Sequence, residues 1–379
     1  MNGEHGLLFL GAGASHPFGP PTMEEYVGGF RKFLDAGHFD ALSVTYDRVA
    51  RVLDYFPDGN DLEAIYTVLR DLARAGTTLD PASAFVLSNA GSIDIPHTLE
   101  FLRGINHTDY VGLLSLLQEY IYKSCTIEDE GPLVQAYDPL FEILRGAWWR
   151  RSGGGKSSVS FQTGSVAARR AVWPFFPAIP IATTNYDLAI EIYLNHRGVE
   201  FQDGFERGHG GVMQFNPAEL RGQLASPTVR LIKLHGSIEW KHTQGGRIIQ
   251  AEGRAGATTA RREKISGEVM VFPTRNKSAL SWPFLDLLTA FVDTLRQTSF
   301  WLVIGYSFRD EELRRIFLEN LTHGKVLILL GPHASRQRDT LMQVTADPAT
   351  AENQILALDA EFGKPGTIDL LRGLVAEGF

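Results

Sequence analysis

Two kinds of apolar pattern alternate along this chain, and they fall in blocks. Leu7, Leu8, Phe9 and Leu10 form an unbroken apolar run that passes directly into Gly11-Ala12-Gly13-Ala14-Ser15. That is the pattern of a short buried strand ending in a glycine turn. From about residue 23 to residue 149 the period changes. Leu62, Ile65, Leu69 and Leu72 recur at spacings of three and four, after the candidate caps Asn60 and Asp61. Val111, Leu114, Leu117 and Ile121 repeat that spacing, as do Leu140, Leu144 and Trp148. These stretches predict amphipathic helices with one buried stripe each.

Strand-like runs return at residues 179–183, 229–234, 268–272, 300–304 and 325–330. The last two, FWLVI and KVLILL, are the most apolar, as strands covered on both faces must be. Helices are predicted at 188–194, 285–295 and 310–321, the last with Asp310, Glu311 and Glu312 in its first turn. Strands alternating with helices imply an α/β fold with a Rossmann-like, doubly wound parallel sheet. A large helical insertion follows the first strand. The expected division is residues 1–30 and 171–379 for the sheet domain and 31–170 for the inserted helices. Residues 151–170, with Gly153-Gly154-Gly155 and many serines, and residues 241–267 read as basic surface loops.

Composition narrows the class without naming it. The chain has 379 residues, 44% hydrophobic and 21% charged, enough to bury a large core and to exclude general disorder. Cys125 is the one cysteine, so neither a disulfide framework nor a Cys-rich zinc module can form. A net charge of −8 argues against a dedicated nucleic-acid binder. No apolar run has the length of a membrane span, and the N-terminus lacks a basic leader region, so a cytoplasmic protein is expected.

Four short motifs carry candidate chemistry, and each falls at a predicted strand end. GAGAS resembles the start of a phosphate-binding turn, but His16 replaces the third glycine of that fingerprint. It also reads as a tight strand-to-helix turn. The Pro-rich stretch that follows, residues 16–22, suggests a lid. In Thr183-Thr184-Asn185-Tyr186-Asp187, Asn185 and Asp187 can face one way and bind sugar hydroxyls or an amide; alternatively one of them caps the next helix. In Lys233-Leu234-His235-Gly236-Ser237, His235 is a candidate general base. In Gly305-Tyr306-Ser307-Phe308-Arg309-Asp310, Gly305 permits close backbone approach, Ser307 can bind phosphate or ribose, or cap a helix, and Asp310 reads as a helix cap. No metal-ligand spacing is present.

In this order, GAGAS, TTNYD, LHGS and GYSFRD resemble the sirtuin-like family, over residues 6–26 and about 176–332. The resemblance implies NAD as substrate and no metal. It would place Gly11, Ala12, Gly13 and Ser15 along the pyrophosphate and nicotinamide side, with Thr184 beside them. Asn185 and Asp187 would lie at the nicotinamide and its ribose, His235 would be the catalytic histidine, and Gly305 and Ser307 would hold the adenosine half. Protein-deacylating sirtuins carry a four-Cys zinc module and a Gln where this chain has Thr184. Both departures point instead toward the sirtuin-like NAD hydrolases of bacterial anti-phage defence. The implied activity is NAD+ glycohydrolase, giving nicotinamide and ADP-ribose. The alternatives are an NAD-dependent deacylase, an ADP-ribosyl transferase, or a module that only senses NAD or ADP-ribose. The resemblance also implies a HerA-type ATPase or Argonaute partner encoded nearby. A homo-oligomer is expected, with no membrane and no nucleic acid directly implied.

Overall fold

A computed structural model describes residues 6–53, 62–75, 107–151, 180–208, 212–221, 229–251, 264–270, 282–345 and 348–376. The chain divides into two compact units. The first comprises residues 1–20, 127–271 and 279–379, and the second 21–126 with 272–278. The candidate caps Asn60 and Asp61, the stretch 152–170 and residues 252–263 lie outside the described residues.

The first unit is built on a parallel sheet. Its strands are β1 (Leu7–Leu10), β2 (Pro180–Thr183), β3 (Phe201–Gln202), β6 (Val229–Lys233), β10 (Phe300–Ile304), β11 (Val326–Gly331) and β12 (Ile355–Asp359). Their order across the sheet is β12-β11-β10-β1-β2-β6-β3, and every pairing is parallel. Strands β1 and β10 are apolar at every position because alternate side chains enter two different cores. Leu8, Leu10, Ile181, Leu231, Leu302 and Ile304 point to one face, packed by helices Gly131–Arg151, Ala189–His196 and Thr367–Ala376. Leu7, Phe9, Ala182, Ile232, Trp301 and Val303 point to the other, packed by Phe284–Gln297, Glu311–Asn320 and Ala334–Val344. The expected doubly wound α/β fold is therefore observed. Each fully buried Leu or Phe of this set contributes about 1.5–3 kcal/mol of burial.

A second, five-stranded antiparallel sheet has the order β4-β5-β8-β7-β9, from β4 (Phe205–Arg207), β5 (Met213–Phe215), β7 (Gly236–Thr243), β8 (Ile248–Gln250) and β9 (Ile265–Met270). Here the sequence reading needs correction. Residues 241–250 are not loop: Lys241, Ile249, His242 and Ile248 pair across the β7–β8 hairpin, and Trp240 beside them is buried. The strand expected at 268–272 ends at Met270 and belongs to this sheet.

The second unit contains helices Met23–Ala36, Asp40–Leu53, Leu62–Ala75 and His107–Ser124. Thr22 and Glu25 close a capping box at the first of them, which starts where the sequence places it. Leu62, Ile65, Leu69 and Leu72 are all buried. In His107–Ser124 the buried stripe is Tyr110, Leu113, Leu117 and Ile121: Leu117 and Ile121 are buried as expected, but Val111 is exposed and Leu114 is partly so. The apolar residues there exceed one face, and the stripe that contains the aromatic residue is the buried one. Helix Gly131–Arg151 falls within the segment expected to form the insertion, yet Leu140, Phe141 and Leu144 pack in the core of the parallel sheet. Among the described residues no helix is long and apolar enough to cross a membrane.

Candidate active site

The chain enters the parallel sheet at β1 and extends to β2 and β6 on one side. It then returns to β10, β11 and β12 on the other. β1 and β10 are thus the adjacent strands at which the direction of winding reverses. In open α/β sheets ligands bind outside the carboxyl ends of strands at such a point. All four sequence motifs lie at carboxyl ends of β1, β2, β6 and β10, so the fold brings them together.

The glycine turn after β1 is locked to the turn after β10. Gly11 N–H donates to Ile304 O at 2.9 Å and Gly13 N–H to Gly305 O at 2.9 Å. A Cβ on Gly305 would lie 2.4 Å from Ala14 N, and one on Gly11 would lie 2.6 Å from Gly305 O. Gly305 also has φ of +64°, a conformation that side chains disfavour. These glycines therefore let two backbone turns approach each other at the carboxyl ends of β1 and β10. Ala12 and Gly13 are half-buried and Ser307 is exposed. Ser307 does not cap the following helix. Asp310 does, accepting from Glu312 N at 3.0 Å and Leu313 N at 3.1 Å.

Asn185 is held by its own amide. Its Nδ2 donates to Gly11 O and to Ser15 Oγ, both at 2.9 Å. Its backbone N–H donates to Thr183 Oγ1 at 3.0 Å, and that hydroxyl donates to Leu10 O at 2.9 Å. Thr184 N–H also donates to Leu10 O, at 3.2 Å. Both amide protons of Asn185 are thus committed to the glycine turn.

Asp187 lies behind this layer and is 5% exposed. Its Oδ1 accepts from Ala189 N at 2.9 Å, the capping contact expected as one of two alternatives. Burial pushes this carboxyl above its ordinary value, while the Lys233 ammonium and the Ala189 N–H pull the other way.

Lys233 carries a role that the sequence reading missed. It is 1% exposed, and its Nζ donates to Asp187 O at 2.5 Å and to Glu191 Oε1 at 2.6 Å. A lysine closing the buried strand VRLIK was the available signal, because a buried ammonium must find acceptors. Burial likewise pushes up Glu191, against the pull of Lys233, and Tyr137 well above its ordinary value.

His235 sits on the turn between β6 and β7. Gly236 has φ of +82°, and a Cβ there would meet Val269 O at 2.2 Å, so the turn that aims His235 requires glycine. The His235 ring lies 6.4 Å from that of Tyr186, and its Nε2 is 3.8 Å from Asp310 Oδ2. Phe308, two residues before Asp310, is a buried non-glycine residue at φ of +56°, a strained conformation of the kind that clusters at functional sites. The turn His16–Phe18, expected as part of a lid, is anchored. The Phe18 ring packs 5.8 Å from Tyr137 and 6.2 Å from Phe362.

Residues 180–349 match the family model described as the SIR2-like domain. Over this span the chain is similar to the SIR2-like family. The sirtuin-like resemblance is borne out over that span, which holds three of the four motifs. The match takes in Asn185, Asp187, His235 and Gly305, while the glycine turn at residues 11–15 precedes it and joins the SIR2-like segment through β1. No curated protein matches the chain. Similar solved structures include a Sir2 homolog–NAD complex, 12% identical, with a TM-score of 0.43 over 99% of this chain and 91% of that one. An ADP-ribose complex of a Sir2 homologue variant is 13% identical, with a TM-score of 0.40 over 99% and 93%. A structure titled for the mechanism and regulation of Sir2 enzymes is 12% identical, with a TM-score of 0.37 over 99% and 93%.

Proposed function

We propose that this protein is an NAD+ glycohydrolase, cleaving NAD to nicotinamide and ADP-ribose. The observation that carries the reading is that Asn185, His235 and the interlocked Gly11–Gly305 turns lie at the carboxyl ends of the neighbouring strands β2, β6, β1 and β10. NAD is the substrate. Its pyrophosphate would run along Ala12, Gly13 and Ser15, its nicotinamide ribose would face Thr184, Asn185 and His235, and its adenosine half would reach Gly305 and Ser307.

The chemistry follows from the leaving group. Nicotinamide in NAD is cationic and departs neutral, so no acid is needed to protonate it. The enzyme must stabilise an oxocarbenium-like ribose and admit water to C1′. The protons of Asn185 are spent on Gly11 O and Ser15 Oγ, which leaves its Oδ1 as the acceptor toward a ribose hydroxyl or the attacking water. His235 would accept the proton from that hydroxyl or water, with the Asp310 carboxylate favouring the imidazolium that results. Asp187, a buried carboxylate behind Asn185, would oppose the positive charge that develops on the ribose. The anchored turn at His16–Phe18 would shield the crevice from bulk water.

A role in anti-phage defence, with NAD depleted on a trigger and a HerA-type ATPase or Argonaute as partner, belongs to the same proposal and rests on the motif resemblance alone, as do the cytoplasmic location and a homo-oligomeric state. The test is chromatographic. Purified protein, with and without the product of the neighbouring gene, is given NAD, and nicotinamide and ADP-ribose are quantified. Equimolar release that is independent of added acyl-lysine peptide is expected. Release that requires the peptide would move the deacylase reading ahead, and binding without release would favour the sensing module.

A further inference from the structure

We propose that Lys233 is a positioning residue that sets the spacing between Asn185 and His235, by binding the turn after β2 to the turn after β6. This rests on the reading of Asn185 and His235 as the working pair of the site, and it concerns a residue that the motif resemblance leaves without a role.

The geometry is a set of hydrogen bonds between two segments. Thr183 and Lys233 are the last paired residues of β2 and β6. The segments that follow them carry Asn185 and His235. Leu234 N–H donates to Thr183 O at 2.8 Å, and Ile238 N–H to Tyr186 O at 3.1 Å. The Lys233 ammonium makes a further tie, to Asp187 O at 2.5 Å. It thus reaches from two residues before His235 to two residues after Asn185. The carbonyl it takes precedes the ladder of helix Ala189–His196, which begins at Leu188 O accepting from Ile192 N–H at 2.8 Å. A second ammonium bond, to Glu191 Oε1 at 2.6 Å, holds the lysine against the first turn of that helix.

Stability alone does not explain an ammonium at this position. Lys233 is 1% exposed, and buried ion pairs are often matched or exceeded in stability by apolar residues of similar volume. What an apolar residue cannot do is donate to Asp187 O. A charge-assisted bond is also stronger than the neutral backbone bonds beside it. The ammonium is therefore the tie that fixes where the β2 turn comes to rest, and with it where Asn185 stands relative to His235. From the other side, Asn185 is fixed by its amide bonds to Gly11 O and Ser15 Oγ. A displacement of about 1 Å between such groups costs about a hundredfold in rate.

The test uses the full chain. Lys233→Met combined with Glu191→Gln removes the ammonium without stranding a buried carboxylate. Amide hydrogen exchange of the ligand-free protein reads the two turns, and steady-state turnover reads the site. Exchange at Leu234 and Ile238 should speed up about tenfold or more, with the amides of β10 unchanged. kcat should fall about tenfold to a hundredfold, while KM for NAD changes less than about threefold. The melting temperature should stay close to that of the wild type. Tyr193→Phe is the contrast: it removes the bond from the Tyr193 hydroxyl to Asp138 Oδ1, at 3.0 Å, on the same helix. It should lower the melting temperature and leave kcat in place. If the double variant does not fold, Lys233→Gln with Glu191→Gln, whose amides can pair with each other, takes its place under the same readouts. Unmoved exchange at Leu234 and Ile238 overturns the inference, and so does faster exchange with kcat unmoved. A loss of kcat that only tracks the loss of folded protein marks a merely structural role and overturns it too. A wild-type protein that never cleaves NAD defeats the functional reading, and hydrogen exchange then decides on its own whether Lys233 joins the turns.

Discussion

Nε2 of His235 lies 3.8 Å from Oδ2 of Asp310, while Oδ1 of the same carboxylate caps helix Glu311–Asn320. One residue thus secures a helix and places a negative charge beside the candidate base. The two roles can be separated. Asp310→Asn keeps a good capping oxygen and should lose less than about 0.5 kcal/mol of stability, whereas Asp310→Ala should lose about 1 kcal/mol. Both should lower kcat by about tenfold or more, because a nearby carboxylate favours the imidazolium form. Urea unfolding and steady-state turnover of the two variants check this. Equal stability of the two would remove the capping role, and full activity of Asp310→Asn would remove the electrostatic one.

The interlocked turns predict a sharp contrast between glycines. Gly305→Ala combines φ of +64° with a Cβ 2.4 Å from backbone atoms of the facing turn. Gly324→Ala has φ of +85° but nothing within 4 Å. The second should cost about 1–2 kcal/mol, the left-handed penalty alone. The first should cost several kcal/mol or fail to fold, since backbone cannot give way there. Thermal melts of the pair test it, and similar melting temperatures would show that the turns are not locked.

Stability should depend on pH through the buried acids. Burial raises Asp187, Glu191 and Asp203 above the ordinary carboxylate value. A group raised in the folded state binds its proton there more tightly than in the unfolded chain. Its contribution is present below the ordinary carboxylate value and is lost as pH rises through the raised one. Unfolding free energy should therefore fall less steeply with rising pH in Glu191→Gln than in the wild type. Asp359 is held low by Ser335 and works in the opposite sense, losing its contribution only in stronger acid. Denaturant titrations across the acid-to-neutral range measure the difference, and parallel curves for the two proteins would contradict it.

The parallel sheet was legible because its strands are buried on both faces. Such strands read as unbroken apolar runs, and β1, β2, β6, β10 and β11 were all placed within a residue or two. The antiparallel sheet was not, since β7 mixes Lys241 and His242 with Trp240 and half-buried Glu239. No clean alternation survives when a charged residue such as Lys241 is itself fully buried. β12 also escaped, being an edge strand with three of its five residues only half-buried. At the site, the residues at strand ends were legible from glycine turns and short polar motifs. The supporting layer was hidden for a physical reason. Lys233, Glu191 and Tyr137 belong to a strand and two helices and meet only through the fold. The second task of Asp310 was hidden because capping alone accounts for an acid at that position.

Loss of turnover in Asn185→Ala and His235→Ala is the most direct test of the account. Nicotinamide and ADP-ribose released from NAD would be quantified for the wild type and both folded variants, with the neighbouring gene's product present. The wild type should release both in equal amounts, and each variant should lose about a hundredfold or more in kcat. Either variant hydrolysing NAD at the wild-type rate would contradict the assignment of the site.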